Sequence, residues 1–181
     1  MSDAIEIANL RDYPHWVGTV ASWHHQEWLS GYDKRNSKAI NIGDRDTSRD
    51  IREREHSLRT HFSDVAVPST FVALIRATAD DEPLAIGSVS IVYYQFSKHR
   101  QPSEWVTNLY VREAFRRGGV GQQLLAFIHK FAVESDIDQL RLYTRDKEAY
   151  YRKRHWEFSH KGVVQGNSVS VLRRDVSGGL L

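Results

Sequence analysis

The sequence predicts an α/β domain built on a mixed sheet, and three observations carry that expectation. "STFVALIRAT" and "LAIGSVSIVYYQF" are β-favouring apolar runs joined by the turn "DDEP". A helical apolar period of Val120, Leu124, Ile128 and Phe131 follows directly on Gly118-Gly119-Val120-Gly121. Strand and helix patterns alternate on both sides of that junction.

Taken in order, "AIEIANL" alternates and reads as a first strand. "YPHWVGTVASWHHQEW" places Pro14 at a first helical position. It puts Trp16, Val20 and Trp23 on one stripe, with Val17, Ala21 and Trp28 beside it. From Asp33 to Glu55, 13 of 23 residues are charged, seven basic and six acidic, which predicts a solvated loop and helix face. Thr47 or Ser48 is the expected cap of that helix, and Ile51, Leu58 and Phe62 its narrow apolar stripe. In the long strand Val89, Ile91 and Tyr93 share one face, and Ser88, Ser90 and Val92 the other. "SKHRQPSE" is a loop and "WVTNLYV" the next strand. A helix is expected over about Gly119 to Glu134, then the strand "QLRLYT" and the short helix "KEAYYRKRHW". "EFSHKGVV" and "SVSVLRR" flank Gln165-Gly166-Asn167, a hairpin signal. The expected order is β-α-α-β-β-β-α-β-α-β-β, in one domain over 1–181 with a loose tail from about 175.

Composition narrows the function classes. The chain has 181 residues, 40% apolar and 27% charged, ordinary for a globular protein. No run approaches the roughly 20 apolar residues of a membrane span, and the start lacks the basic-then-apolar pattern of a leader. With no cysteine, disulfides, thiolate metal sites and a cysteinyl acyl-enzyme are excluded. A cytoplasmic location is the natural expectation. A net charge of +2 is too small for a dedicated nucleic-acid binder. No metal site is expected.

The glycine loop fails two phosphate-binding patterns. G-x-G-x-x-G is met at Gly119 and Gly121 but broken by Leu124. The P-loop pattern lacks its second glycine and its Gly-Lys pair. What stands is Arg116-x-x-Gly119-x-Gly121 between a strand and a helix. Unpaired N–H groups at a helix start and the positive end of its dipole suit an anion. Glycines let a pyrophosphate come close, and Arg116 and Arg117 add charge. The bland alternative is a plain loop-to-helix junction.

"LYVREAFRRGGVGQQLL" resembles motif A of the GNAT N-acetyltransferase superfamily, whose signature Arg/Gln-x-x-Gly-x-Gly/Ala is met by Arg116, Gly119 and Gly121. "EAYYRKRHWEF" resembles that superfamily's "fYeklGF" segment. It departs from it at His155, where glycine is usual. "RLYTRDKEAYYRKRHW" and "GVVQGNSVSVLRR" are similar to a subgroup that includes the actin amino-terminal acetyltransferase and bacterial relatives.

The resemblance implies an acetyl-CoA-dependent N-acetyltransferase with a splayed central sheet. It implies that the backbone of Leu109, Tyr110 and Val111 pairs with the pantetheine arm, and that one N–H there polarises the thioester carbonyl. Arg116, Arg117, Gly118, Gly119, Val120, Gly121 and Gln122 would wrap the pyrophosphate. Tyr151 matches the tyrosine that protonates the departing thiolate, while Tyr150 matches an aromatic that packs inward. Glu104 is one candidate general base. His24, His25 and Glu27 on the first helix are others, and water is a further route.

Acetyl-CoA and an amine acceptor, a small molecule or a peptide amino terminus, are the expected partners, with no nucleic acid and no membrane. The oligomeric state is open. Trp23, Trp28, Tyr93, Tyr94 and Phe96 are candidate walls of an acceptor pocket, and the charged 33–55 segment a candidate lid. The alternative function is a non-catalytic acyl-CoA sensor on the same fold.

Overall fold

The computed structural model describes residues 4–33 and 47–176. Strand β1 (Glu6–Asn9) leads through short 3-10 turns, one starting at Pro14, into α1 (Val17–Asp33). Then come α2 (Thr47–Arg59), β2 (Ser69–Ile75), β3 (Leu84–Tyr94), β4 (Ser103–Val111), α3 (Val120–Glu134), β5 (Gln139–Thr144), α4 (Glu148–Arg152), β6 (Glu157–Val164) and β7 (Asn167–Asp175). Type and order match the expected series. The seven strands form one sheet in the order β1-β2-β3-β4-β5-β7-β6. Every neighbouring pair is antiparallel except β4 and β5.

Both faces are covered. The α3 side holds the larger core, in which Val120, Leu124, Leu125 and Ile128 meet Ile86, Val89, Ile91, Leu140 and Leu172. Each such side chain contributes about 1.5–3 kcal/mol by leaving water. On the other side Val17, Val20, Ala21 and Trp23 of α1 and Leu58 of α2 cover Val72, Leu74 and Ala85, with Ile51 and Phe62 alongside. The described members of both expected stripes are thus buried or half-buried. Thr47 and Ser48, expected as caps, are the first two helical residues described.

The alternation of β3 holds, but both of its faces are buried over most of its length. Tyr93 lies beyond the helix cover and is 58% exposed. Ser88 and Ser90, on the face opposite Val89, are fully buried beneath α1 and α2, where polar partners meet them. The β6–β7 hairpin closes with Val164 opposite Asn167. Gln165 and Gly166 both have positive φ, 49° and 76°, as a two-residue turn of matching twist requires. The tail expected from about 175 is placed as far as Val176, which is buried and donates its N–H to Asp138 O at 2.8 Å. Residues 177–181 lie outside the described residues.

Two irregularities shape the sheet centre. β4 is bulged: Ser88 pairs with Tyr110 and Ser90 with Thr107, and Asn108 between them takes φ 54°. Past the bulge β3 comes very close, since a Cβ on Gly87 would stand 2.8 Å from Tyr110 O. On its other side β4 registers with β5 at one described pair, Trp105 with Arg141, and the strands part beyond it.

Candidate active site

The parted end of β4 and the glycine loop come together. After Val111 the chain makes a 3-10 turn (Glu113–Phe115) and then the loop, in which Arg117 and Gly119 are left-handed at φ 65° and 82°. A Cβ at Gly119 would meet nothing within 4 Å, so backbone shape, not crowding, favours glycine there. Gly119 caps α3, and the first intrahelical bond is Gln123 N–H to Gly119 O at 3.0 Å. The N–H groups of Val120, Gly121 and Gln122 therefore have no intrahelical acceptor, and they open beside Val111. These residues fit an anionic phosphate group.

The Arg116 side chain is held at three points. Its Nε donates to Val111 O at 2.9 Å, its guanidinium lies 5.7 Å over the Tyr110 ring, and it meets Glu27 of α1 at 3.4 Å. The side chain ties the end of β4 to α1, and the charge it brings is shared with a carboxylate. Tyr110 in turn stacks on Trp23 at 5.1 Å.

On the α3 side the two tyrosines of α4 reach this end of the sheet. The Tyr150 hydroxyl lies against Gly121, 2.9 Å from where a Cβ would stand, and its ring carries the Arg154 guanidinium at 3.6 Å. Tyr151 packs edge-on to Tyr150 at 5.2 Å and to buried Trp156 at 6.2 Å. Burial, then the neighbouring Tyr150, pushes the Tyr151 phenol above its usual pKa, so it holds its proton at neutral pH. His155, where the resemblance implies glycine, is left-handed at φ 65°. His155→Gly is expected to stabilise the fold by up to about 1 kcal/mol, because a side chain is strained there. An unchanged denaturant midpoint would reject this.

The base candidates are dispersed. Glu104 is the second residue of β4 and pairs with Tyr93, whereas the glycine loop follows Val111. Seven residues of strand separate them, roughly 23 Å. Glu104 thus lies toward the other end of β4 from the glycine loop. His24 and His25 are buried. His24 Nε2 lies 3.1 Å from Ser88 Oγ, and burial, then Arg54 and His61, lowers its pKa to about 3. Nearby, His61 Nδ1 meets Thr70 Oγ1 at 2.7 Å, which meets Ser90 Oγ at 2.8 Å. Glu27 is engaged with Arg116.

The aromatic residues expected around one pocket form two groups. Trp23 stacks at the glycine-loop end. Tyr94 and Phe96 cluster with Trp105, Tyr143 and His160 at the root of the β4–β5 fork. The side chain of Trp28, and residues 34–46 of the expected 33–55 lid, lie outside the described residues, while 47–55 of that segment fall in α2. Among the described residues no three His, Asp or Glu side chains are grouped to hold a metal ion.

The acetyltransferase (GNAT) domain family matches residues 69–157, from the start of β2 to the start of β6. No curated protein matches the sequence. Among solved structures, a GNAT family acetyltransferase from Staphylococcus aureus superposes with a TM-score of 0.58 at 16% identity, over 96% of this chain and 99% of that one. YncA from Salmonella typhimurium, solved with its cofactor acetyl-CoA, gives 0.61 at 13% over 100% and 98%. A GNAT family acetyltransferase from Elizabethkingia anophelis with acetyl-CoA bound gives 0.50 at 14% over 96% and 99%. The chain thus carries a match to the GNAT acetyltransferase domain over residues 69–157, within the fold of these acetyltransferase structures.

Proposed function

We propose that this protein transfers an acetyl group from acetyl-CoA to an amine, directly, within a ternary complex. One observation carries the reading: the unpaired N–H groups at the start of α3 open beside the end of a bulged β4 that has parted from β5. That arrangement supports a long ligand with an anionic end and an amide-bearing arm.

Acetyl-CoA supplies the acyl group as a thioester. Backbone groups of Leu109, Tyr110 and Val111 orient the arm, and an N–H at Tyr110 or Val111 stabilises charge on the carbonyl oxygen, an effect worth up to about 3–4 kcal/mol per donor. N–H groups of Val120, Gly121 and Gln122, with Arg117, hold the pyrophosphate. The C–N bond forms as the C–S bond breaks, and the Tyr151 phenol gives its proton to the leaving sulfur. The proton shed by the amine passes to water, because Glu104 is remote, His24 and His25 are buried and Glu27 is engaged. The acceptor is a small amine or a peptide amino terminus, the latter suggested by the likeness to the actin-directed subgroup.

Calorimetry with acetyl-CoA, CoA and ATP, followed by a turnover screen over amine, amino-acid, aminoglycoside and peptide acceptors, tests this. Both CoA ligands should bind and at least one acceptor should turn over. Binding of ATP without CoA would overturn the reading. Tight CoA binding with no turnover across the panel would replace the enzyme with a sensor.

A further inference from the structure

A cavity of about 360 Å³ lies at the root of the β4–β5 fork, on the sheet face opposite α3 and away from the glycine loop. Its wall is aromatic: Phe96, from the β3–β4 connection, stacks on Trp105 at 5.3 Å with the rings 7° apart. Its rim is cationic. Arg100 comes from the same connection, Arg141 from β5 and Arg173 from β7. Arg141 registers with Trp105 on one side and Arg173 on the other, so strand pairing fixes two of the three guanidinium stems.

The charge is poorly balanced. Arg173 meets Glu157 at 3.7 Å. Among the described residues, no acceptor meets the side chain of Arg100 or Arg141. His160, on the same wall, is held below its usual pKa by burial and then by Arg100, so it adds no positive charge at neutral pH. Three guanidiniums against one carboxylate leave two positive charges around a cavity of small-ligand size. Gathering like charges costs free energy unless an anion offsets it, and guanidinium forks match phosphate oxygens two at a time.

We propose that this cavity binds a small phosphate monoester with a flat apolar body, its dianionic head held by Arg100, Arg141 and Arg173. The site is separate from the glycine loop, whose anion is bound chiefly by backbone. The aromatic wall adds contact for the body of the ligand, and the two spare positive charges favour a dianion over a monocarboxylate.

The test is titration of the full chain with phenyl phosphate, inorganic phosphate and benzoate, followed by backbone and indole nitrogen–proton NMR. Trp105 donates its indole N–H to Ser103 Oγ at 2.9 Å, so that signal reports on the wall directly. Phenyl phosphate should saturate near or below about 1 mM and shift Ser103, Trp105, Arg141 and His160. Benzoate should bind more weakly. Arg141→Gln should weaken phenyl phosphate about tenfold or more, with Arg100→Gln as the second variant should the first fail to fold. Arg117→Gln in the glycine loop should leave it unchanged. The proposal falls if shifts are confined to Arg117–Gln122, if benzoate binds as well as phenyl phosphate, if the folded arginine variant binds normally, or if no saturation occurs.

Discussion

Acidification from pH 6.5 toward 3 should destabilise the folded protein by about 1.4 kcal/mol per pH unit through His24 alone. The imidazole is 6% exposed and touches Ser88 Oγ at 3.1 Å. Burial is the main cause of its low pKa, with Arg54 and His61 adding repulsion. The sign follows from proton counts. In the unfolded chain His24 takes up a proton as pH falls through 6.5, whereas in the folded chain it stays neutral until about 3. The unfolded state therefore binds more protons across this window, and stability is full above it and lost below. His61 is lowered too, by burial, and steepens the upper part of the window. Denaturant titrations at stepped pH measure the slope. In His24→Gln, whose amide can keep the contact with Ser88, the slope should shrink. An identical pH profile would show that His24 does not carry the effect.

Tyr151→Phe should lower turnover at least about tenfold, the low end of general acid contributions, with little change in acetyl-CoA affinity. The phenol is kept protonated by burial and by Tyr150, so it can donate throughout the neutral range. Its ring remains in Phe, which preserves packing against Tyr150 and Trp156. Tyr150→Phe separates the neighbours, because that hydroxyl lies against Gly121. Its loss should act on donor affinity more than on kcat. Unchanged kcat in Tyr151→Phe, with loss in Tyr150→Phe, would transfer the acid role to Tyr150.

Local patterns were legible in the sequence, and long-range placement was not. The period of Val120, Leu124 and Ile128, the Gln165-Gly166 turn and the alternation of β3 depend on neighbours a few residues away, and each is found where expected. The glycine loop was legible because its backbone demands appear as residue types. The height of Glu104 along β4 was not legible, because a strand's period gives a face but not a position along the strand. The tie from Arg116 to Glu27 spans 89 residues and leaves no local trace. The contact of His24 with Ser88 spans 64. Its one sequence signal was a pair of serines, Ser88 and Ser90, in an otherwise apolar strand. The alternation gave them a face but not the two helices that cover it.

The single described pairing of Trp105 with Arg141 has a mechanical meaning. It acts as a rivet between two smaller sheets, β1 to β4 and β5 to β7, with a seam open toward the glycine loop. A small rotation about the rivet is magnified by the length of β4 into a wider or narrower mouth. An occupant that takes up main-chain hydrogen bonds along the seam completes the missing rung.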